Sequence, residues 1–141
     1  MFGTYQQSNI RIEIAASAEQ IAQSLTRLEN LRRWMQPQQI YGVTAGTLKA
    51  PLTVGQSFKS AVGLSASLKL EFGRIEHQVE LLAPNGIRFL LSGGIDGFHE
   101  WQWGDGWVQS RLEGVSLLPL SLGQTLSLTR LQQYLSQSTG V

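Results

Sequence analysis

The chain has 141 residues, of which 42% are hydrophobic and only 15% are charged, and its formal net charge is +1. This length predicts a single domain over residues 1–141, because domains commonly hold about 100–200 residues. The apolar content argues against a disordered chain, and the absence of a basic run longer than Arg32-Arg33 argues against nucleic acid as a partner. No stretch is apolar for long enough to form a transmembrane helix. Residues 1–9 show no signal-peptide pattern, which predicts a cytoplasmic protein.

The residue types that hold metals and build covalent catalysts are scarce. The chain has no cysteine, which excludes disulfides, thiol catalysis and cysteine-based metal sites. It has two histidines, too few for a zinc site made of histidine alone. We therefore predict neither a metal nor a cofactor.

The first predicted elements are a strand and a helix. Residues 1–8 are predicted to form a loose polar start. Next comes a half-buried strand, in which apolar residues alternate with charged ones: Ile10, Ile12 and Ile14. Ser17 and Gln20 then have the spacing of a capping box, and the apolar residues after them recur at helical intervals. The segment therefore predicts a strand followed directly by a capped helix.

A second short helix is predicted from Glu29 to Met35, where Pro37 ends it. Glycines then divide the middle of the chain into short apolar runs, a pattern typical of strands. The candidate strands are Tyr41 to Leu48, Gln56 to Val62 and Leu68 to Leu82. In the last of these the alternation changes phase at Gly73, which predicts a β-bulge there.

Two turn sequences predict how later strands pair. Pro84-Asn85-Gly86 suits a three-residue hairpin loop, which would place Leu81 opposite Phe89 and Val79 opposite Leu91. Asp105-Gly106 suits a two-residue turn. That turn sets three pairs on the apolar face: Trp103 with Val108, Trp101 with Ser110, and His99 with Leu112. On the opposite face it sets Glu100 beside Arg111 as a cross-strand ion pair.

The last predicted element is a helix over residues 121–137. Ser121 and Gln124 have capping-box spacing, and three leucines follow at helical intervals: Leu128, Leu131 and Leu135. The order is then strand, two helices, about six antiparallel strands and a long helix. This order predicts an α+β fold in which a curved antiparallel sheet wraps the terminal helix.

The sequence resembles the START-like or SRPBCC superfamily, which has the helix-grip fold and includes lipid-transfer domains and polyketide cyclases. Residues 10–21 resemble its first strand and the small-residue turn into its first helix. Residues 28–37 resemble its second helix, in which a Trp followed by a Pro is usual. The resemblance implies a cavity between the sheet and the last helix for a hydrophobic or amphipathic ligand.

The candidate ligand-binding residues are those that strand alternation and the implied cavity place on one face: Trp34, His77, Val79, Phe89, Leu91, His99, Trp101 and Trp103. The histidines are candidates for a polar contact in the cavity or for an acid or base. The alternative for each is a hydrogen-bonded core histidine. For the tryptophans the alternative is core packing.

The function predicted from the sequence is binding of a small hydrophobic ligand, such as a lipid or a polyketide-like compound. No motif indicates catalysis, so we favour binding over an enzyme. Two alternatives stay open: a cyclase or aromatase in which His77 or His99 moves protons, and a protein-interaction module with a closed cavity. A transient contact with a membrane surface is a further expectation, and no transmembrane segment is predicted.

Overall fold

The computed structural model describes residues 3–44, 49–62 and 74–138. It contains three helices in the described ranges: α1 (Ala18–Thr26), α2 (Leu28–Trp34) and α3 (Leu120–Ser138). The strands are β1 (Thr4–Glu13), β2 (Gln38–Tyr41), β3 (Ser57–Val62), β4 (Arg74–Ala83), β5 (Gly86–Gly93), β6 (Ile95–Gly104) and β7 (Trp107–Ser116). Within the described ranges, no helix is both long and apolar enough to cross a membrane.

The seven strands form one curved antiparallel sheet in the order β1-β7-β6-β5-β4-β3-β2. The first strand therefore pairs with the last one, and every other neighbour is also a neighbour in sequence. Helix α3 packs against β1 and β7 and against α1 and α2. The architecture is the α+β helix-grip arrangement that the order of elements predicted.

The N-terminal region confirms the capped helix and corrects the start of the first strand. The Ser17 hydroxyl accepts from the Gln20 backbone N–H, and the Gln20 side chain accepts from the Ser17 N–H. The prediction of a loose start over residues 1–8 is wrong from Thr4 onward, since Thr4 already pairs with Ser116. The side chains of this segment are polar and show no apolar alternation, so no pattern in the sequence indicated that its backbone pairs with β7.

One predicted strand in the middle of the chain needs a correction, and parts of two lie outside the described residues. Of the strand placed at Tyr41 to Leu48, residues 45–48 are outside the described ranges; β2 instead covers residues 38–41, which pair with β3, and residues 42–44 are not strand. The long strand placed at Leu68 to Leu82 is described from Arg74 to Ala83. The predicted bulge at Gly73 lies outside the described residues. The strand predicted at Gln56 to Val62 is confirmed, beginning at Ser57.

The β4–β5 hairpin differs from its predicted register. Ala83 pairs with Gly86, so the loop is the two residues Pro84-Asn85 and not a three-residue loop. An irregularity between Val79 and Leu81 then shifts the register, and Val79 lies opposite Phe89. The predicted pairs of Leu81 with Phe89 and of Val79 with Leu91 are therefore wrong.

The β6–β7 register predicted from Asp105-Gly106 is confirmed. Gly104 pairs with Trp107 across the two-residue turn, and the three predicted apolar-face pairs and the Glu100–Arg111 pair are all present as strand neighbours. The predicted ion pair itself is not formed. Glu100 instead accepts from Arg88 at 2.9 Å, while Arg111 donates to Glu113 at 3.3 Å.

The helix predicted over residues 121–137 is confirmed as α3, which is one residue longer at each end. Its N-terminus is not capped in the way that the sequence predicted. The Leu120 N–H donates to the Gln6 side chain at 2.9 Å, and the side chain of Gln124 points to the sheet. The predicted capping box of Ser121 and Gln124 is therefore wrong. The leucines predicted to pack are buried: Leu128, Leu131 and Leu135.

Candidate functional site

A cavity of about 310 Å³ lies between the inner face of the sheet and the first turns of α3. Strands β4 to β7 form its floor, the end of α2 one side, and residues 118–127 its other side. The apolar floor and walls include Ile75, Leu91, Ile95, Trp101, Leu112 and Leu120. Its residues include no Asp, Glu, Lys or Arg, so the described part of the wall carries no fixed charge.

The rim of the cavity is formed in part by three leucines that face solvent. Leu118, just before helix α3, is 51% exposed, and Leu122 and Leu126, one turn apart on the helix, are 62% and 46% exposed. Large apolar side chains are more often buried than this. The three leucines give the cavity an apolar rim.

Aromatic rings support the floor of the cavity in two groups. Trp34 from α2 meets Trp101 edge-on, with ring centroids 6.2 Å apart, and His99 lies 4.4 Å from Trp101. The Trp34 Nε1 donates to the Ser24 carbonyl oxygen at 2.8 Å, which fixes the indole between α1 and the cavity. Trp34 is thus both an anchor of the helical layer and a cavity wall.

His77 belongs to the second aromatic group. Its ring stacks on Phe58, with centroids 4.7 Å apart, and Phe89 meets both rings edge-on at 5.8 and 6.0 Å. These contacts hold the imidazole in place on the inner face of the sheet, where it lines the cavity.

Each histidine bonds to a fully buried serine. The His77 Nε2 lies 2.9 Å from the Ser60 Oγ, and the His99 Nε2 lies 2.6 Å from the Ser110 Oγ. Burial lowers the pKa of His77 to about 4. Burial, with a smaller contribution from His77, lowers the pKa of His99 to about 3. Both rings are therefore neutral at pH 7.

Gln124 connects helix α3 to this serine. Its Nε2 donates to the Ser110 carbonyl oxygen at 2.7 Å, to the Ser110 Oγ at 3.0 Å and to the Ser8 carbonyl oxygen at 3.2 Å. Two of these acceptors are carbonyl oxygens, so reversing the amide would bring oxygen against oxygen. The Gln124 Oε1 is enclosed and has no hydrogen-bond partner in the described part of the chain.

The structure brings five of the eight predicted site residues to the cavity and leaves three in the core beside it. The five that line it are Trp34, His77, Leu91, His99 and Trp101. The other three are buried in the core without lining it: Val79, Phe89 and Trp103.

Several residues of the cavity and of its hydrogen bonds were not predicted from the sequence. Ser110, which bonds to His99, carried a usable signal, because the predicted β6–β7 register already set it beside Trp101 on the inner face. Gln124 was assigned to a helix cap, since the motif gave no sign that its side chain reaches the sheet. The rim leucines gave no signal in the sequence.

Charged side chains on the sheet lie on its outer face, as the alternation predicts. Arg88 bonds to Glu100 at 2.9 Å and to Glu80 at 3.4 Å, and the bond with Glu100 is the main reason why the Arg88 pKa is raised. Such exposed pairs commonly contribute under about 1 kcal/mol. In the described residues, no group of three His, Asp or Glu side chains is placed to hold a metal ion.

The lowered pKa values of His77 and His99 predict a specific pH dependence of stability. In the unfolded chain their rings take up protons below a pKa of about 6.5, while in the fold they stay neutral down to about 4 and about 3. The unfolded state binds more protons in this window, so the free energy of unfolding should fall as pH drops below 6.5. At pH 5.0 the loss should be about 2 kcal/mol per ring relative to pH 7.5.

Urea unfolding at pH 5.0 and 7.5 measures this loss directly. A His99→Gln variant should lose about half of the pH-dependent difference, since one of the two rings is gone. An unchanged difference in that variant would show that His99 does not stay neutral in the fold.

The fold is similar to that of solved structures with low sequence identity. The Mll3558 protein from Rhizobium loti matches with a TM-score of 0.70 at 13% identity, over 97% of this chain and 99% of that one. The Aha1 dimer from Colwellia psychrerythraea gives 0.63 at 19% identity, over 92% and 96%. DynU16, a protein of the dynemicin biosynthetic locus, gives 0.60 at 15% identity, over 94% of this chain and 48% of that one. No family model and no curated protein matches the chain. At these identities the likeness concerns the fold alone.

Proposed function

We propose that the protein binds a small, uncharged, largely apolar ligand in the cavity between the sheet and helix α3. The observation that carries this proposal is a cavity of about 310 Å³ whose wall combines apolar side chains with two neutral imidazoles and no fixed charge. Ligand sites are commonly apolar, with a few polar groups that orient the ligand, and measure roughly 300–1,000 Å³. The cavity is at the small end of that range.

The neutral wall argues against a charged ligand. Taking an ion out of water is costly unless a partner of opposite charge receives it, and the described wall offers none. A lipid or polyketide-like ligand would therefore bind through an uncharged part. The exposed leucines of the rim, Leu118, Leu122 and Leu126, favour entry of an apolar molecule from that side.

The two alternative functions receive less support. A general acid or base works best with a pKa near the working pH, whereas His77 and His99 have pKa values of about 4 and about 3. Proton transfer by these rings in a cyclase or aromatase reaction is thus disfavoured at neutral pH. A protein-interaction module with a closed cavity would leave no open space under α3. The cavity there therefore favours ligand binding over that alternative.

We also propose that the chain is a member of the START-like or SRPBCC superfamily. The helix-grip order of elements supports this, together with the resemblance of residues 10–21 and 28–37. Membership would fit the proposed ligand, because that superfamily holds hydrophobic compounds between its sheet and its last helix.

Filling the mouth of the cavity tests the proposed function. Gly123 lines the cavity, and a Cβ added there meets nothing within 4 Å, so a larger side chain has room to extend into the opening. We expect N-phenyl-1-naphthylamine, an uncharged fluorescent probe, to bind the protein saturably. Gly123→Phe should weaken that binding at least tenfold.

Gly123→Ala is the matched control, because it makes the same change of backbone freedom without filling the opening. It should bind the probe like the unmodified protein. If the unmodified protein shows no saturable binding, or if all three proteins bind equally, the cavity is not a binding site for such ligands.

A further inference from the structure

The hydrogen-bond partners of the two histidines determine which ring nitrogen carries the proton. Ser60 is fully buried, and among the described residues its hydroxyl has one partner, the His77 Nε2. A buried hydroxyl hydrogen without an acceptor is costly. The arrangement that leaves no such hydrogen has Ser60 donating to Nε2, which places the proton of the neutral His77 ring on Nδ1.

The same reasoning applies to His99 through a longer chain of bonds. The Gln124 Nε2 has two hydrogens for three acceptors: one goes to the Ser8 carbonyl oxygen, and the other is shared between the carbonyl oxygen and the Oγ of Ser110. The buried Ser110 hydroxyl thus accepts from Gln124, and its own hydrogen has one remaining acceptor among the described residues, the His99 Nε2. The neutral His99 ring then also carries its proton on Nδ1.

Both Nδ1 atoms face the cavity. Neither is bonded to a described residue, and neither is among the enclosed atoms that lack a partner: Arg74 Nε, Trp103 Nε1 and Gln124 Oε1. An unbonded atom that is not enclosed borders open space. Because both rings line the cavity, that space is the cavity.

We propose that Ser60 and Ser110 hold His77 and His99 as Nδ1–H tautomers, so that two N–H donors select an uncharged ligand bearing a carbonyl oxygen. This proposal rests on the function proposed above and names its ligand class. A carbonyl oxygen accepts a hydrogen bond without bringing charge into the cavity or a second hydrogen that would need an acceptor. Ser60 and Ser110 are positioning residues, which act on the ligand through the two rings.

The spacing of the donors adds a constraint on the ligand. His77 on β4 lies opposite Leu91 of β5, and His99 on β6 lies opposite Phe89 of the same strand. Two strand spacings across the sheet and two residues along it put their backbones roughly 12 Å apart. A flat ligand with one carbonyl group can reach either ring, and one with acceptors at both ends can span them.

Nitrogen-15 NMR of the full-length, uniformly labelled protein tests the tautomers without any ligand. The long-range couplings of each ring should show the proton on Nδ1 in both His77 and His99. A proton on Nε2 in either ring would overturn the assignment for that ring, whatever the protein binds.

Selection is tested with two probes of the same shape, 2-octanone and 2-methyl-1-octene, which compete with N-phenyl-1-naphthylamine. In Ser60→Ala/Ser110→Ala the rings are free to move their proton to Nε2. The affinity for 2-octanone should then fall about fivefold, from the loss of one neutral hydrogen bond, with the affinity for the alkene unchanged. Ser92→Ala, which changes an exposed serine of β5 that does not line the cavity, should change neither affinity.

The outcomes separate the two proposals. An equal loss for both probes, or no loss for either, overturns carbonyl selection and leaves a cavity that binds apolar ligands. Binding of neither probe to the unmodified protein overturns the proposed function. If the double variant does not fold, the single Ser110→Ala variant replaces it, with an expected loss of about twofold for 2-octanone alone, because the one carbonyl can still bond to His77.

Discussion

Gly97→Ala should cost about 3 kcal/mol or more of the free energy of unfolding, the largest effect that we expect from a single methyl group. Gly97 on β6 lies opposite Gly114 on β7, and the two backbones approach closely. A Cβ on Gly97 would overlap the carbonyl oxygen of Glu113 and lie 2.5 Å from the Gly114 Cα. These are backbone atoms in the middle of the sheet, so they cannot turn away as a flexible side chain would. The strands would have to separate, which breaks ladder hydrogen bonds.

Gly123→Ala is the control for this prediction. It adds the same methyl group in helix α3, where nothing lies within 4 Å, and it should raise stability by up to about 1 kcal/mol because alanine favours the helix. Denaturant unfolding measures both variants. Equal stabilities for the two would mean that β6 and β7 do not approach as closely as described.

Leu131→Ala should cost about 2–5 kcal/mol, the range for removing a fully buried leucine from a core. Leu131 is 0% exposed and lies on the side of α3 that is held by the sheet and the other helices. The lost side chain would leave a space that the surrounding elements fill only in part. Urea unfolding at pH 7.5 gives the value.

Leu126→Ala makes the same chemical change on the same helix and serves as the matched control. Leu126 is on the exposed rim, so its removal should change stability by under about 0.5 kcal/mol. If Leu131→Ala lowers the free energy of unfolding by well under 1 kcal/mol, close to the effect of Leu126→Ala, then this face of α3 does not pack against the sheet.

The sequence predicted those parts of the fold in which local chemistry and tertiary structure agree. The capping box at Ser17 and the turn at Asp105-Gly106 each depend on a few neighbouring residues, and both formed as predicted. The prediction of the β4–β5 register was wrong because of the irregularity between Val79 and Leu81. That irregularity depends on how the two strands pair, which alternation along one strand does not reveal.

The candidate site was predictable only in its inward-facing aromatic and apolar residues. Strand parity correctly placed His77, His99 and Trp101 on one face, and the cavity gathers all three. The bonds from Gln124 through Ser110 to His99 join residues from three successive elements, α3, β7 and β6. Residue spacing does not predict these hydrogen bonds, because they form only when α3 packs against β7.

The pairing of β1 with β7 affects how the protein is made. Thr4 pairs with Ser116 and Glu13 with Trp107, so the partner of β1 is synthesised last among the strands. The ribosome adds about 5–20 residues per second, and the gap of about 100 residues therefore keeps β1 without its partner for about 5–20 seconds. Helices α1 and α2 can form locally during that time, whereas closure of the sheet edge must wait for translation. Conditions that slow translation should prolong the exposure of β1 and with it the risk of aggregation of the nascent chain.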